Sequence, residues 1–205
     1  MSRRLRALAD DPDAERLIDV LAPGLHEAGN PYLDWLFGDA QVARRAVRRW
    51  MAGERSELAL RRITVLEEGD AVLGAFVGVE GADMPTCARA DGVAALAVVD
   101  RAARPALLRR AAEVADVRRP IEADQWLLSK LWVTREQRGR GLGRILVREF
   151  VAAGARRGLT RCRVDARCAD AHVIYLYESE GFEQRATSPG GDPRLAVVEM
   201  VRERS

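Results

Sequence analysis

The chain has 205 residues, 48% hydrophobic and 31% charged, which is enough for one compact domain with a sizeable core and too apolar for wholesale disorder. Its 33 basic and 31 acidic residues leave a formal charge of +2, without the basic excess of a dedicated nucleic-acid binder. Lys130 is the single lysine, so arginine clusters carry weight only where their spacing is specific.

Residues 3–9 suit a short strand that the acidic run at 10–13 closes. From Ala14 to Ala28, Leu17, Ile18, Leu21 and Leu25 recur at helical spacing, and Gly29-Asn30-Pro31 ends the helix. A brief helix carrying Tyr32, Trp35, Leu36 and Phe37 follows, then a longer one over 40–51. Segments 56–67 and 71–80 are predicted as a hairpin around Glu68-Gly69-Asp70. Residues 81–122 hold helical runs near 92–99 and 104–117, an elaboration too small to bury a core of its own. The strand at 125–134 has few polar positions and is expected at the centre of a sheet. A helix over 142–157, a strand at 161–166, a helix at 170–179 and strands at 182–187 and 195–202 complete the chain, with SPGGDP joining the last pair.

No stretch approaches the roughly 18 apolar residues of a membrane span, and the N-terminal run turns acidic where a signal peptide needs its apolar segment. Cys87, Cys162 and Cys168 lack metal-site spacing, and His26 and His172 are the only histidines. The expectation is a cytoplasmic protein with reduced thiols, no metal centre and no Ser-His-Asp triad.

The informative stretch is LLSKLWVTREQRGRGLGRILVREF, an apolar strand running into Arg138-Gly139-Arg140-Gly141-Leu142-Gly143-Arg144 at a helix start. Glycines admit a close backbone approach by a phosphate, first-turn amides and the helix dipole point at it, and arginines add charge-assisted contacts. The P-loop pattern is absent because no lysine follows these glycines. The dinucleotide fingerprint fails because Arg144 stands where Gly or Ala is needed.

Arg138-x-x-Gly141-x-Gly143, between strand and amphipathic helix, resembles the acetyl-CoA pyrophosphate loop of the GNAT acetyltransferase family. Downstream, Leu176, Tyr177, Gly181 and Phe182 match the family's Asn-x-x-Ala-x-x-Leu-Tyr…Gly-Phe pattern, while Asp170 replaces the asparagine and Val173 the alanine. The clear resemblance covers about 125–187. It implies an α/β fold (α+β, with a mixed sheet), in which 81–122 is a helical insertion before the central strand of a single domain spanning 1–205. It also implies an acetyl-CoA-dependent N-acetyltransferase acting by direct attack of a primary amine, on a small molecule or a protein, with no nucleic acid or membrane partner. Family members often dimerise, which leaves a homodimer open.

By that resemblance, Leu131, Trp132 and Val133 lend backbone groups to the pantetheine arm, and an amide near Leu131 or Trp132 polarises the thioester carbonyl. Residues 138–144 hold the pyrophosphate. Asp170 caps the following helix without the amide donor that an asparagine offers to pantetheine. Tyr177 is the candidate general acid for the departing thiolate. The family often places a glutamate on the central strand as base, and 125–134 contains none, so Glu122 just ahead of it is the candidate, with Asp124 and Glu80 behind it. Lys130 is expected to snorkel from the strand face, Tyr32, Trp35 and Phe37 to pack core or lid with an acceptor-pocket wall as the alternative, and Arg44, Arg45, Arg48 and Arg49 to form a solvated face. Two other readings stay open: a CoA-binding sensor without turnover, and an acyltransferase for longer acyl groups.

Overall fold

The computed structural model describes residues 3–8, 13–188 and 192–203; residue 9 of the first expected strand and residues 189–191 of the last connection lie outside them. Seven strands form one mixed sheet: β1 (Arg3–Ala7), β2 (Ile63–Glu68), β3 (Ala71–Glu80), β4 (Gln125–Val133), β5 (Arg161–Arg167), β6 (Glu183–Ser188) and β7 (Val197–Glu203). Their spatial order is β1-β2-β3-β4-β5-β7-β6, and among the described residues the only parallel neighbours are β4 and β5. That pair is joined by the crossover helix α6 (Leu142–Arg156), as a parallel connection requires.

Helices cover both faces because both faces are apolar. Val65, Ala75, Val77 and Leu127 point into a core shared with α1 (Ala14–Ala28), α2 (Tyr32–Phe37) and α3 (Ala40–Met51). Leu66, Phe76, Trp126 and Leu128 alternate to the other face, against α6 and α7 (Ala171–Ser179). Across that second core the Trp126 ring stacks on Phe150, and its indole N–H donates to the Phe150 carbonyl at 2.9 Å.

The segment expected to be a helical elaboration forms α4 (Met84–Val98) and α5 (Arg104–Val117). α4 begins eight residues earlier than the sequence pattern suggested, because Pro85 sits at the permissive first turn. Cys87, Ala95, Val99 and Leu107 join the α1–α3 core, so the insertion shares the parent core. Its exit is tied down by Arg163 on β5, whose buried guanidinium donates to the carbonyls of Pro120 (2.9 Å) and Arg119 (3.1 Å). One expectation fails: 56–62 is a turn and a short 3-10 helix at Leu60–Arg62, and the strand begins only at Ile63.

Candidate active site

The site starts with a defect in β4. Val77 of β3 faces Lys130 and Gly78 faces Leu128, which leaves Ser129 as the extra residue of a bulge. The bulge shifts the alternation by one, so Lys130 and Trp132 share the α1–α3 face while Leu131 and Val133 face α6. Trp132 lies flat enough on α1 that a Cβ at Gly24 would collide with its ring. On the other side, β4 pairs with β5 only as far as Leu128↔Val164. Beyond that register the strands part, and the β5-facing backbone groups of 129–133 open into a groove of about 400 Å³. Leu131, Trp132 and Val133 line it from one side, and Asp165, Arg167, Asp170 and Tyr177 from the other.

At the outer end of the groove, the chain turns through 138–141 into α6. Gly139 and Gly141 hold φ of 76° and 77°, a conformation that L side chains rarely adopt, and a Cβ at either would meet no atom within 4 Å. The first-turn amides of α6 therefore face open space with no intrahelical acceptor, in the geometry of an anion site. Among the arginines, Arg138 donates to the Val133 carbonyl at 3.1 Å and pairs with Glu27 of α1 at 3.0 Å. Arg144 bonds Ser179 (3.1 Å) and Glu180 (3.3 Å), and Arg140 leans on Gln137 (3.3 Å). Each guanidinium carries five donors, so these contacts occupy only part of its capacity.

Beside the bulge stands a carboxylate that the sequence pattern did not single out. Glu57, in the turn before the short 3-10 helix, accepts a hydrogen bond from the Ser129 hydroxyl and lies 3.7 Å from Lys130 Nζ. Partial burial opposes its charge, yet the Lys130 ammonium, the Ser129 hydroxyl and Arg118 together hold its carboxyl below the usual glutamate range. Burial, with Arg118 adding repulsion, lowers Lys130 from the ordinary lysine range although Glu57 resists. Asp91 of α4 fixes Glu57 from behind by accepting its backbone N–H at 3.0 Å. Desolvation, reinforced by Glu57, pushes Asp91 up to about 6 against its hydrogen bonds, and its Oδ1 is buried without a donor.

Lys130 also lines a second cavity of about 330 Å³ between α2, α4, α5 and the Glu57 turn, open to solvent past Ala88, Gly92, Leu108 and Ala111. Lys130 is thus common to groove and chamber, with Ser129 on the groove side hydrogen-bonded to Glu57 on the chamber side. At the groove's inner end Tyr177 is buried, tilted against Phe182 at 5.7 Å, and burial with the nearby Asp170 charge raises its phenol far above the ordinary value.

A family model of the acetyltransferase (GNAT) domain matches residues 60–184. The chain belongs to the GNAT acetyltransferase family. Solved GNAT-like structures agree over the whole length. An N-acetyltransferase from Staphylococcus aureus Mu50 superposes with a TM-score of 0.66 at 11% identity, covering 97% of this chain and 99% of that one. A crystal structure described as an acetyltransferase gives 0.63 at 18% identity, over 98% and 100% of the two chains. The PaiA N-acetyltransferase from Thermoplasma acidophilum, in complex with coenzyme A, gives 0.57 at 13% identity over 100% of both. No curated protein matches the sequence. The family makes this chain an acyltransferase, and the mixed sheet with its split β4–β5 pair is the GNAT fold.

Against that GNAT frame, the structure brings Leu131, Trp132, Val133, Arg138, Asp170 and Tyr177 to one groove, with Gly139, Arg140, Gly141, Leu142, Gly143 and Arg144 around the α6 start. It does not bring Glu122 there. Glu122 is exposed ahead of β4, paired with Arg161, and residues 123–128 separate it from the bulge. Asp124 shares the Arg161 contact, and Glu80 pairs with Arg157 at 3.7 Å. Asp170 stands at the N-cap of α7 but does not cap it, because its carboxylate is drawn to Arg167 at 2.6 Å. Lys130 does not snorkel to solvent. Tyr32 lines the chamber, whereas Phe37 is core, packed on Trp50. Among the described residues no cluster of three or more metal-ligating side chains occurs, and no helix is long and apolar enough to cross a membrane.

Proposed function

We propose that the chain transfers the acetyl group of acetyl-CoA to a primary amine, and that the two substrates meet at the β4 bulge. The observation that carries this reading is the junction itself: an open backbone groove ending in an anion cradle on one side, and a chamber headed by a carboxylate on the other. The pyrophosphate would take the amides and arginines at 138–144, beside the open space around Gly139 and Gly141. The pantetheine arm runs along the unpaired β4 edge at 131–133, and one amide there polarises the thioester carbonyl.

The amine nitrogen attacks that carbonyl carbon, the C–S bond breaks, and CoA departs as its thiolate. Glu57, ionised well into the acid range, takes the proton shed by the attacking amine and replaces Glu122 in that role. Tyr177 faces the thiolate as a neutral phenol. With its acidity weakened by burial, it stabilises the sulfur by donating a hydrogen bond more than by surrendering its proton.

Release of free CoA thiol from acetyl-CoA across a panel of amines tests the reading, and ranking acetyl- against longer acyl-CoAs by thermal shift tests the acyl group. Tight CoA binding without turnover on any amine would leave a CoA sensor instead.

A further inference from the structure

The chamber beyond Glu57 has a composition that narrows the acceptor. Its volume of about 330 Å³ lies at the small end of ligand sites, and about twice that of a cavity known to hold benzene. Leu33, Leu36, Trp50, Leu96, Leu107 and Val114 present its apolar wall. Polar groups are confined to the end nearest the bulge, where Glu57 and Asp91 are balanced by Lys130 and Arg118. Arg118 makes no salt bridge among the described residues and instead lies 4.8 Å over the Tyr32 ring. Two carboxylates and two cations leave that end near neutrality. A second fixed charge on the ligand would find no partner along the apolar wall and would have to leave it past the exposed residues Ala88, Gly92, Leu108 and Ala111.

The chamber is the work of the insertion. α4 contributes Ala88, Asp91, Gly92, Ala95 and Leu96, and α5 adds Leu107, Leu108, Ala111 and Val114. Two bonds fix α4 as the far wall: the Trp50 indole N–H donates to the Asp91 carbonyl at 3.0 Å, and the Glu57 N–H to the Asp91 carboxylate. The helix that supplies the wall therefore also sets the position of the carboxylate next to the thioester. Small residues at 88, 92, 95 and 111 keep the volume open, and a Cβ at Gly92 meets no atom within 4 Å.

We infer that the acceptor is a primary monoamine on a compact, uncharged apolar body, admitted amine-first toward Glu57 and selected by the α4–α5 chamber. This rests on the acetyl-transfer reading above for the identity of the site. The amine end meets the only polar groups of the chamber, and the body replaces water against its wall.

The test is a homologous series, ethylamine to octylamine, with 2-phenylethylamine, spermidine and a hydrophilic lysine peptide as contrasts, each given to the full chain with acetyl-CoA. CoA thiol release should show kcat/KM rising roughly fourfold per added methylene, as burial of a CH₂ predicts, then levelling when the chamber is full. 2-Phenylethylamine should exceed spermidine by at least an order of magnitude. Gly92→Phe and, as an independent variant, Ala111→Phe should move the plateau to shorter chains while leaving CoA affinity unchanged, which also reports an intact fold. A flat series, or spermidine or the peptide as the better acceptor, overturns the inference and leaves acetyl transfer standing. If no amine releases CoA, acetyl transfer fails, and calorimetry of the same series on the CoA-bound protein decides the inference. Affinity that climbs with chain length supports the chamber, and length-independent or absent binding overturns it.

Discussion

The two sides of the β4 bulge are built in opposite ways. On the groove side, the contacts offered to a ligand are mostly backbone: edge groups at 131–133 that β5 does not pair, of which Arg138 holds the Val133 carbonyl, and first-turn amides of α6. On the chamber side they are side chains gathered from α2, α4, α5 and a turn 72 residues before Ser129. Backbone chemistry is fixed by the path of the strand and helix, and it suits the part of a substrate that is the same in every reaction. Side-chain chemistry changes with substitution, and it suits the part that differs from one enzyme to the next. A shared core of Leu128, Leu131 and Leu146 supports the first, and the inserted helices the second.

Substitutions can break this division one side at a time. The largest effect belongs to the cradle. Gly141→Glu brings a carboxylate and a strained positive φ to the phosphate position, so CoA affinity measured by calorimetry should fall at least a hundredfold with the thermal transition retained. Unchanged affinity would remove the loop from the site. Next comes Glu57→Gln, which should lower kcat by roughly 10²- to 10⁴-fold while CoA binds as before. The matching exposed change, Glu122→Gln, should leave kcat within about twofold. A reversal of that pair would return the base to the β4 entry.

Tyr177→Phe removes one hydrogen bond to a developing thiolate, which is worth about tenfold to a hundredfold in kcat, and it should alter CoA affinity far less. The smallest effect is a matter of pH. Asp91 holds its proton up to about 6 in the folded chain, against an ordinary 3.8. The folded state then binds more protons than the unfolded state between those values, so Asp91 contributes stability below pH 4 that is lost as pH rises through 6. Asp91→Asn cannot lose it. The melting temperature of the wild type relative to Asp91→Asn should therefore drop by a few °C between pH 4.5 and 7, and a constant difference would mean that Asp91 titrates normally.

How far the sequence disclosed each side follows from the same division. The cradle is contiguous, so glycine spacing, flanking arginines and the strand-to-helix switch mark it within a few residues. Helices α1 and α3 are likewise visible from their period, since each buries one stripe. Glu57 was hidden because the short apolar run Leu58-Ala59-Leu60 leads directly toward β2, which mimics a strand over 56–62. In the fold, Ser56 and Arg62 turn that segment back, with Arg62 donating to the Ser56 carbonyl at 3.2 Å and pairing with Asp83 at 2.9 Å. A carboxylate that reaches the site across such a turn leaves no periodic trace. Glu122 had proximity in sequence to recommend it, but its pairing with Arg161 keeps it at the β4 entry, seven residues before the bulge. The Asp170 cap failed for a local reason: Arg167, three residues before it, offers a charge-assisted bond that a neutral backbone N–H cannot match.

The position of Lys130 has a practical consequence. It is the single lysine of the chain, and it lines both cavities. Protein grown with lysine enriched only at Nζ would therefore give one side-chain nitrogen resonance, needing no assignment, placed at the proposed meeting point of the two substrates. Titrating CoA and then an amine into that sample would time the filling of groove and chamber separately, in solution and without any attached label.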